Sequence, residues 1–377
     1  MKKRNNNLYI DHSMLIAVIL LLCFGLIMVY SASSYEASTK FNDSAHYIKS
    51  QAKATFLGLI VMGFVSKLDY HFWKKVYLPI YLGSIFLIFL VKSPIGMTIN
   101  GANRWIRIGG MSFQPAEAAK LGIIIFLAVL ICNKRKSLNS LGGFINCLIW
   151  ALVPTGLIYV VTKNLSSAII ICGIAVVMLF VASPRYWYYI LGAVMVGGAV
   201  AGVIYLVSSG ILPESMSFRL GRVKAWLNPE AYATSKGFQT LQALYSIGSG
   251  GYFGKGLGQS TQKMGYVPEA QNDMIFSIIC EELGLFGAVA VILMFLILIY
   301  RFLVIANNAP DLFGALLVVG VMGHISLQVI LNIAVVTNTL PNTGVTLPFI
   351  SYGGTSVLFL MMEIGIALNV SKAHSAE

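Results

Sequence analysis

The chain has 377 residues, of which 57% are hydrophobic and only 11% are charged, and its mean hydropathy is +0.79. A soluble domain carries about 25% charged residues, so this composition excludes a chain of ordinary soluble domains and indicates that lipid is the main solvent. The five cysteines lie in or at the ends of apolar stretches without paired spacing, which favours packing over a disulfide framework or a zinc site. The net charge of +12 therefore bears first on membrane orientation and not on nucleic-acid binding.

Ten apolar stretches are long enough to cross a bilayer, which takes about 20 residues with a usable range of roughly 17–25. In chain order they are residues 13–32, 53–66, 76–92, 116–132, 144–162, 166–182, 187–208, 273–302, 311–336 and 349–370. The sequence therefore predicts an all-α integral membrane protein that forms one membrane domain over residues 1–377. The basic residues 2–4 resemble the start of a signal peptide, but nine further spans favour an uncleaved anchor.

The distribution of Lys and Arg predicts the orientation of these spans. If the N-terminus is cytoplasmic, the inner segments hold 12 Lys and Arg residues and the short outer loops hold 7. Positive residues concentrate in cytoplasmic loops, so both termini of this multi-pass protein are predicted to be cytoplasmic.

This orientation places the single long loop, residues 209–272, on the outer face, and long loops are usually functional. Its charged residues are Arg219, Arg222, Lys224, Lys236, Lys255 and Lys263 against Glu214, Glu230 and Glu269. A basic outer loop suits an anionic or pyrophosphate-bearing lipid. General attraction to anionic headgroups is the alternative explanation.

A glycine-rich run, GSGGYFGKGLG, occupies residues 248–258. It does not fit a phosphate-binding P-loop, because position 249, where that motif needs its first glycine, is a serine. The run also lies on the wrong side of the membrane for ATP. The glycines indicate left-handed or closely packed backbone. Such a loop could turn beneath a ligand, or it could simply be a tight re-entrant loop.

Ionisable residues within spans are costly and are functional candidates by default. Glu117 and Lys120 stand three residues apart near the start of the fourth span, so one helix face presents them as a pair. The pair is either functional or serves only to hold the helix start.

The eighth predicted span carries three acids, Asp273, Glu281 and Glu282. Asp273 lies at its outer mouth, whereas Glu281 is about 12 Å deeper along a helix. Only Asp273 is therefore placed where a lipid headgroup and the outer loop could both reach it. The alternative role for Asp273 is a helix N-cap.

Residues 337–356 carry no charge and interrupt apolar sequence with two prolines and three glycines. Irregular backbone at membrane depth is tolerated only where it is buried in protein or lines a cavity. We therefore expect this segment to line a site. An ordinary outer loop is the alternative, and the five histidines show no spacing that predicts a metal cage.

Several of these motifs together resemble the FtsW/RodA/SpoVE, or SEDS, family. The similar segments occur in the family's order and cover most of the chain: NGANRW at 100–105, FQPAEAAK at 113–120, RVKAWLNP at 222–229, the glycine-rich run at 248–258, QK at 262–263, VPEAQND at 267–273, EELG at 281–284 and PFISYGGTS at 348–356. Segments 268–270 and 338–344 are more similar to the FtsW branch than to RodA.

The sequence departs from the family pattern at three places. Ala116 replaces the usual serine, and Gln271 and Asn272 replace the usual His-Thr before the retained Asp273. Residues 164–167 read NLSS where the family has Asp-Leu-Gly-Thr, so a carboxylate is lost and no role is assigned there.

The resemblance implies a peptidoglycan glycosyltransferase of the bacterial cytoplasmic membrane. It would polymerise lipid II at the outer face during cell division and release undecaprenyl diphosphate, with a RodA-like role in elongation or a SpoVE-like role in sporulation left open. Asp273 matches the family's catalytic aspartate and is predicted to be the general base of an inverting displacement.

The remaining predicted site residues contact the substrate. They are Arg104, Arg222, Lys255 and Lys263, whose positive charges would face the pyrophosphate, together with Glu117, Lys120, Gln262, Glu269 and Ser351. No cofactor is required by this chemistry, and a divalent cation at the pyrophosphate is left open. The implied partners are lipid II, a class B penicillin-binding protein transpeptidase, divisome proteins and membrane lipids, and not nucleic acid.

Two other functions fit the same membrane setting. A lipid II flippase is favoured by the intramembrane pair and by the interrupted final helices, although no inverted repeat is evident. A non-catalytic scaffold of a division complex would need no acid at position 273.

Overall fold

The computed structural model describes residues 11–99, 102–108, 111–209 and 218–374. Within these ranges, ten helices are long and apolar enough to cross a membrane, which confirms the predicted number of spans. They are α1 (His12–Phe41), α2 (His46–Val65), α3 (His71–Leu90), α4 (Pro115–Lys134), α5 (Leu141–Thr162), α6 (Leu165–Ala182), α7 (Trp187–Ser208), α10 (Ile275–Asn307), α11 (Leu312–Val336) and α12 (Gly354–His374). The shorter helices α8 (Phe218–Leu227) and α9 (Phe238–Gly250) lie between α7 and α10.

Five predicted boundaries are wrong by five or more residues: the first span ends at Phe41 and not at 32, the third begins at His71 and not at 76, the eighth ends at Asn307 and not at 302, and two others have a clear physical reason. The second span begins at His46 and not at 53, because its polar first turns pack against protein: Gln51 is buried and hydrogen-bonded to residues 351 and 353. The last span begins at Gly354 and not at 349, since Phe349 has a φ of 63° and cannot continue a helix.

A small sheet on the side opposite the chain ends was not predicted by the all-α assignment. Strands β1 (Gly96–Ile99), β2 (Ala102–Ile108) and β3 (Met111–Phe113) pair antiparallel in that order. The sheet leads directly into Pro115, the first residue of α4. The carbonyl of Ser112 accepts a 2.6 Å hydrogen bond from Thr355 in α12, so the sheet is fastened to the last span.

The fourth span lies at the centre of the bundle and the seventh at its edge. About 89% of the apolar window of α4 is buried, whereas only 6% of that of α7 is. A helix that is apolar on all sides belongs in a core, and α4 accordingly packs against α3, α5, α6, α11 and α12.

Contacts at one end of the bundle show that both ends of the described chain lie on the same side. Asp11 pairs with Arg301 at the end of α10 at 2.5 Å, and its backbone N–H donates to Ser371 in α12. Tyr70 and Asp311, at the starts of α3 and α11, also meet there. The predicted parity of the spans is confirmed, while the compartment facing this side stays a prediction.

The described part of the segment between α7 and α10 is folded and not extended. Helix α8 packs over residues 338–342, where Trp226 donates through Nε1 to the carbonyl of Asn338 at 3.0 Å. Glu214, one of the acids counted in this loop, lies outside the described residues, as do the basic residues 2–4 and Asn100.

Candidate active site

Asp273 lies immediately before α10, and its carboxylate is buried. The N-cap of α10 is Met274, and no side chain caps that helix end, so the alternative role of Asp273 as a helix cap is wrong. Its Oδ1 has no hydrogen-bond partner among the described residues. Its Oδ2 faces Gly344, where an added Cβ would stand 3.5 Å away. A buried carboxylate that the protein leaves unsatisfied is available for chemistry.

The surroundings of Asp273 raise its pKa to about 7. Burial is the main cause, because a dry site disfavours the charged carboxylate, and the negative charge of Glu269 acts in the same direction. A backbone hydrogen bond and the positive charge of Arg222 oppose the shift. A carboxyl group with a pKa near the working pH is suited to general-base catalysis.

The uncharged segment 337–353 packs against Asp273, as its irregular backbone predicted. Ser351 donates through Oγ to the carbonyl of Asn272 at 2.6 Å, and the N–H of Tyr352 donates to the carbonyl of Gln271 at 2.9 Å. Leu347 and Ile350 are buried, so this is not an ordinary outer loop. The hydroxyl of Ser351, a predicted substrate contact, serves here to fasten the segment beside Asp273.

A pocket of about 250 Å³ opens between α8 and this segment. Its lining includes Arg222, Trp226, Lys236, Gln239, Pro268 and Asn342. Arg222 donates to the carbonyl of Asn342 at 3.1 Å, two residues before the glycine that faces Asp273. Two positive side chains thus line a cavity that also includes Asn342, two residues from the glycine that faces Asp273, and an anionic ligand would be favoured there.

The other two predicted cations, Lys255 and Lys263, are paired with acids of α10. Lys255 Nζ lies 2.6 Å from Glu281 Oε1, and Lys263 Nζ lies 2.8 Å from Glu282 Oε1. The side chain of Lys263 is 5% exposed and that of Glu282 is fully buried, whereas Lys255 is 32% exposed. Ser31 of α1 donates to Glu282 at 2.7 Å, so the second pair joins three parts of the chain.

The acids that the sequence analysis judged too deep for the substrate hold the glycine-rich run instead. Glu281 also accepts hydrogen bonds from Ser246, Ser260, Thr261 and the N–H of Gln262. A carboxylate with this many donors is fully satisfied, which makes it a structural anchor.

The glycine-rich run re-enters the bundle beside a break in α10. Gly284 adopts φ 66° and ψ −164°, and the backbone groups freed there bond to the run: Leu285 N–H to Gly251, and Gly256 N–H to Glu282. Only glycine fits at Gly254, because a Cβ would lie 2.2 Å from the carbonyl oxygen of Glu282. Such a break is tolerated in a span when other backbone restores the hydrogen bonds.

The predicted pair in α4 is confirmed. Lys120 Nζ lies 2.7 Å from Glu117 Oε1, and both side chains are buried. Lys120 also reaches Gln328 of α11 at 3.5 Å, and Ser356 of α12 donates to Glu117 at 3.4 Å. The pair therefore ties α4 to the helices that flank segment 337–353, and it does not stand alone.

The remaining predicted site residues are Glu269, Gln262 and Arg104. Glu269 has a φ of 57° and acts on Asp273 through its charge, as described above. Gln262 has a buried Oε1 without a described partner. Arg104 lies on β2, where it donates to the carbonyl of Lys163 at 3.4 Å. The described residues contain no cluster of three His, Cys, Asp or Glu that could hold a metal ion.

Sequence analysis missed four buried polar residues within the last two spans. His324, Gln328 and Asn332 recur every fourth residue along α11, and His324 Nδ1 lies 2.8 Å from the carboxylate of Glu363 in α12. The period of four and the single acid in the last span were visible signals. An ionisable residue in a span is a functional candidate by default.

Comparison with known proteins shows to which family the chain belongs. The model of the FtsW/RodA/SpoVE family, described as cell cycle proteins, matches residues 11–376. The chain belongs to this family.

Two relatives and one solved structure illustrate the similarity of this family member. The chain is 40% identical over 365 residues to the stage V sporulation protein E of Bacillus subtilis, covering 96% of this chain and 97% of the relative. It is 39% identical over 363 residues to a probable peptidoglycan glycosyltransferase FtsW of a Geobacter species, covering 96% of each.

Its fold matches a chain from a peptidoglycan synthase complex that coordinates polymerization and crosslinking. The TM-score is 0.78 at 24% identity, over 97% of this chain and 98% of that one. The fold of nearly the whole chain, spans and connecting segments together, is therefore a known one.

Proposed function

We propose that this protein is a peptidoglycan glycosyltransferase that polymerises lipid II, acting as a single membrane domain over residues 1–377. The observation that carries the proposal is Asp273, a buried carboxylate immediately before α10 whose pKa is raised to about 7 and whose Oδ1 has no hydrogen-bond partner among the described residues. Relatives that carry this activity in their names match nearly the whole chain.

The reaction forms one glycosidic bond and breaks one bond to pyrophosphate. Asp273 accepts the proton from the hydroxyl of the acceptor sugar while its oxygen attacks the anomeric carbon of the donor. Undecaprenyl diphosphate leaves with the bonding electron pair, and the configuration at the anomeric carbon inverts.

The positive side chains around the pocket support the leaving group. Arg222 and Lys236 line the cavity beside Asp273, and cations placed where charge develops are a major source of catalysis. Lys255 and Lys263 contribute indirectly. Their amines pair with acids of α10 and so hold the glycine-rich run and the residues after it against that helix. A divalent cation at the pyrophosphate stays a proposal, since Mg²⁺ is usually held by one or two carboxylates and the phosphates themselves. No step above depends on it.

The test of this function is lipid II polymerisation by the purified full-length protein in lipid nanodiscs. We expect glycan strands to form in the presence of a class B penicillin-binding protein, the partner we propose because the similar solved chain belongs to a complex that also crosslinks. Proteoliposomes holding labelled lipid II test the alternative, a lipid II flippase. Translocation of lipid II without formation of polymer would contradict the proposed enzyme and support a transporter.

The role in the cell is proposed as cell division together with divisome proteins. The FtsW relatives and a sporulation relative are almost equally similar to this chain, so elongation and sporulation remain alternatives of the same chemistry. Depletion followed by microscopy distinguishes them: filaments indicate division, round cells indicate elongation, and loss of spores alone indicates sporulation.

We also propose that the side holding both chain ends is cytoplasmic, in the cytoplasmic membrane of a bacterium. A cysteine at Lys236, beside the pocket, should then react with an impermeant maleimide in intact cells, while a cysteine at Lys136, after α4, should react only after lysis. Cysteine-free protein is the control background, since the chain has five native thiols. Labelling of position 136 from outside would reverse the orientation.

A further inference from the structure

One face of α11 presents a column of buried polar side chains. His324, Gln328 and Asn332 are four residues apart, and each is at most 2% exposed. Residues four apart lie above one another on a helix, so the column runs from within the membrane toward the outer site. His324 contacts α12, and Gln328 contacts segment 337–353. Asn332 contacts both that segment and the residues before α10.

Asn332 stands at the outer end of this column and contacts the backbone of the proposed base directly. Its Nδ2 donates to the carbonyl of Asp273 at 2.8 Å and to the carbonyl of Val345 at 2.7 Å. Two carbonyl acceptors require the nitrogen on that side, so the orientation of the amide is fixed by its partners. Its Oδ1 has no partner in the described part of the chain.

The two carbonyls belong to the two segments that form the site. Val345 follows Gly344, which faces the carboxylate of Asp273, and Asp273 precedes α10 without a side-chain cap. A single side-chain nitrogen therefore joins the peptide of Asp273 to the turn that its carboxylate faces.

We propose that Asn332 is a positioning residue for Asp273, which it holds at a fixed distance from the turn at Gly344. This inference rests on the proposed function, in which Asp273 is the base. The chemistry of an amide suits this position, because its two N–H groups on one uncharged nitrogen satisfy both carbonyls at once. Without it, both buried carbonyls lose this donor, and the turn at Gly344 is no longer held against the peptide of Asp273.

The predicted consequence is a loss of turnover and not of binding. A displacement of about 1 Å at a reacting group can cost about 10²-fold in rate. For Asn332→Leu, of similar size, we expect kcat to fall by about 10–100-fold, while KM for lipid II stays within about threefold. Asn332→Ser, which keeps one short donor, should lie between Asn332→Leu and the unaltered protein.

A pH profile separates positioning from general damage. The charged groups that act on Asp273 are Glu269 and Arg222, and neither is altered by these substitutions. If the carboxylate is released toward water, its pKa falls toward that of an ordinary aspartate. The acidic limb of the kcat profile should therefore move to lower pH in Asn332→Leu.

Gln328→Leu is the matched comparison. Gln328 lies one turn deeper on the same face, is equally buried, and its Nε2 holds the carbonyl of Thr346 at 3.1 Å in the same segment. The hydrogen bonds described for it do not include Asp273. In Gln328→Leu the acidic limb of the kcat profile should stay in place, even if turnover changes because the contact between Gln328 and Lys120 is lost.

The experiment uses purified full-length variants in nanodiscs with lipid II and the partner protein, and folded yield is checked by size-exclusion chromatography. Unchanged kcat and acidic limb in Asn332→Leu would overturn the inference, as would an equal loss of kcat in both leucine variants with neither limb moved. If Asn332→Leu does not fold, Asn332→Ser is judged by the same two criteria. Full activity of Asp273→Asn would overturn the proposed function itself, whereas an inactive Asp273→Asn beside unaffected Asn332 variants overturns the positioning role alone.

Discussion

Replacing Asp273 with asparagine should reduce lipid II polymerisation by about 10²–10⁴-fold, the range that general-base catalysis contributes. The two side chains have nearly the same shape, and Asp273 accepts no hydrogen bond at Oδ1 that an amide would disrupt. The variant should therefore fold and bind its partner normally. The measurement is glycan output from purified protein with the partner present.

Asp43→Asn is the matched control for this substitution. Asp43 lies between α1 and α2, and it pairs with Lys49 in an exposed contact. Exposed ion pairs contribute about 0–1 kcal/mol, so this variant should polymerise normally. Near-normal output from Asp273→Asn would remove this residue from the mechanism and favour the flippase.

The raised pKa of Asp273 also predicts how the turnover of the unaltered protein depends on pH. Its pKa is raised to about 7, and the base must be ionised, so turnover should rise with pH through about 7 and fall as the carboxyl is protonated below it. Glu269→Gln removes the charge that helps to raise this pKa, which should shift the acidic limb to lower pH. An acidic limb near pH 4 in the unaltered protein would contradict the burial of Asp273.

Lys263→Met should destabilise the protein by about 3–5 kcal/mol, the usual effect of removing one partner of a buried pair. Glu282 is fully buried, and its remaining partners are Ser31 and a 3.4 Å contact from the Ser260 N–H. A carboxylate left there without its cation is strongly disfavoured, so the segment that carries Lys263 should loosen from α10 and α1. Thermal unfolding in nanodiscs and folded yield measure the effect.

Neutralising both partners should recover much of this loss. In the double variant Lys263→Met with Glu282→Gln, neither buried charge of this pair remains, and removal of a whole buried pair is often close to neutral. Lys255→Met is the comparison: the side chain of Lys255 is 32% exposed, and Glu281 keeps several other donors, so the effect of this substitution should be much smaller.

The alternative role of Lys263 gives a different pattern of results. If it binds the pyrophosphate, as the sequence analysis predicted, then Lys263→Met folds normally and raises KM for lipid II. The double variant would in that case recover nothing. The two patterns cannot occur together.

The number of spans and the position of the candidate base could be predicted from the sequence alone. Membrane thickness fixes the length of an apolar helix, so ten spans could be counted without any contacts. Asp273 could be selected because depth along a helix follows directly from residue number, and only this acid lies at the boundary. The Glu117–Lys120 pair was predictable for the same reason, since three residues of spacing guarantee a shared face.

Only the tertiary structure decided which buried polar groups meet. Lys263 pairs with Glu282 and Ser31, and Asn332 bridges Asp273 and Val345, across separations in sequence that no local pattern encodes. The sheet at 96–113 likewise depends on pairing between strands and on its attachment to α12. In lipid, every buried donor and acceptor must find a partner inside the protein, and the folding of distant segments against each other determines which partner each one finds.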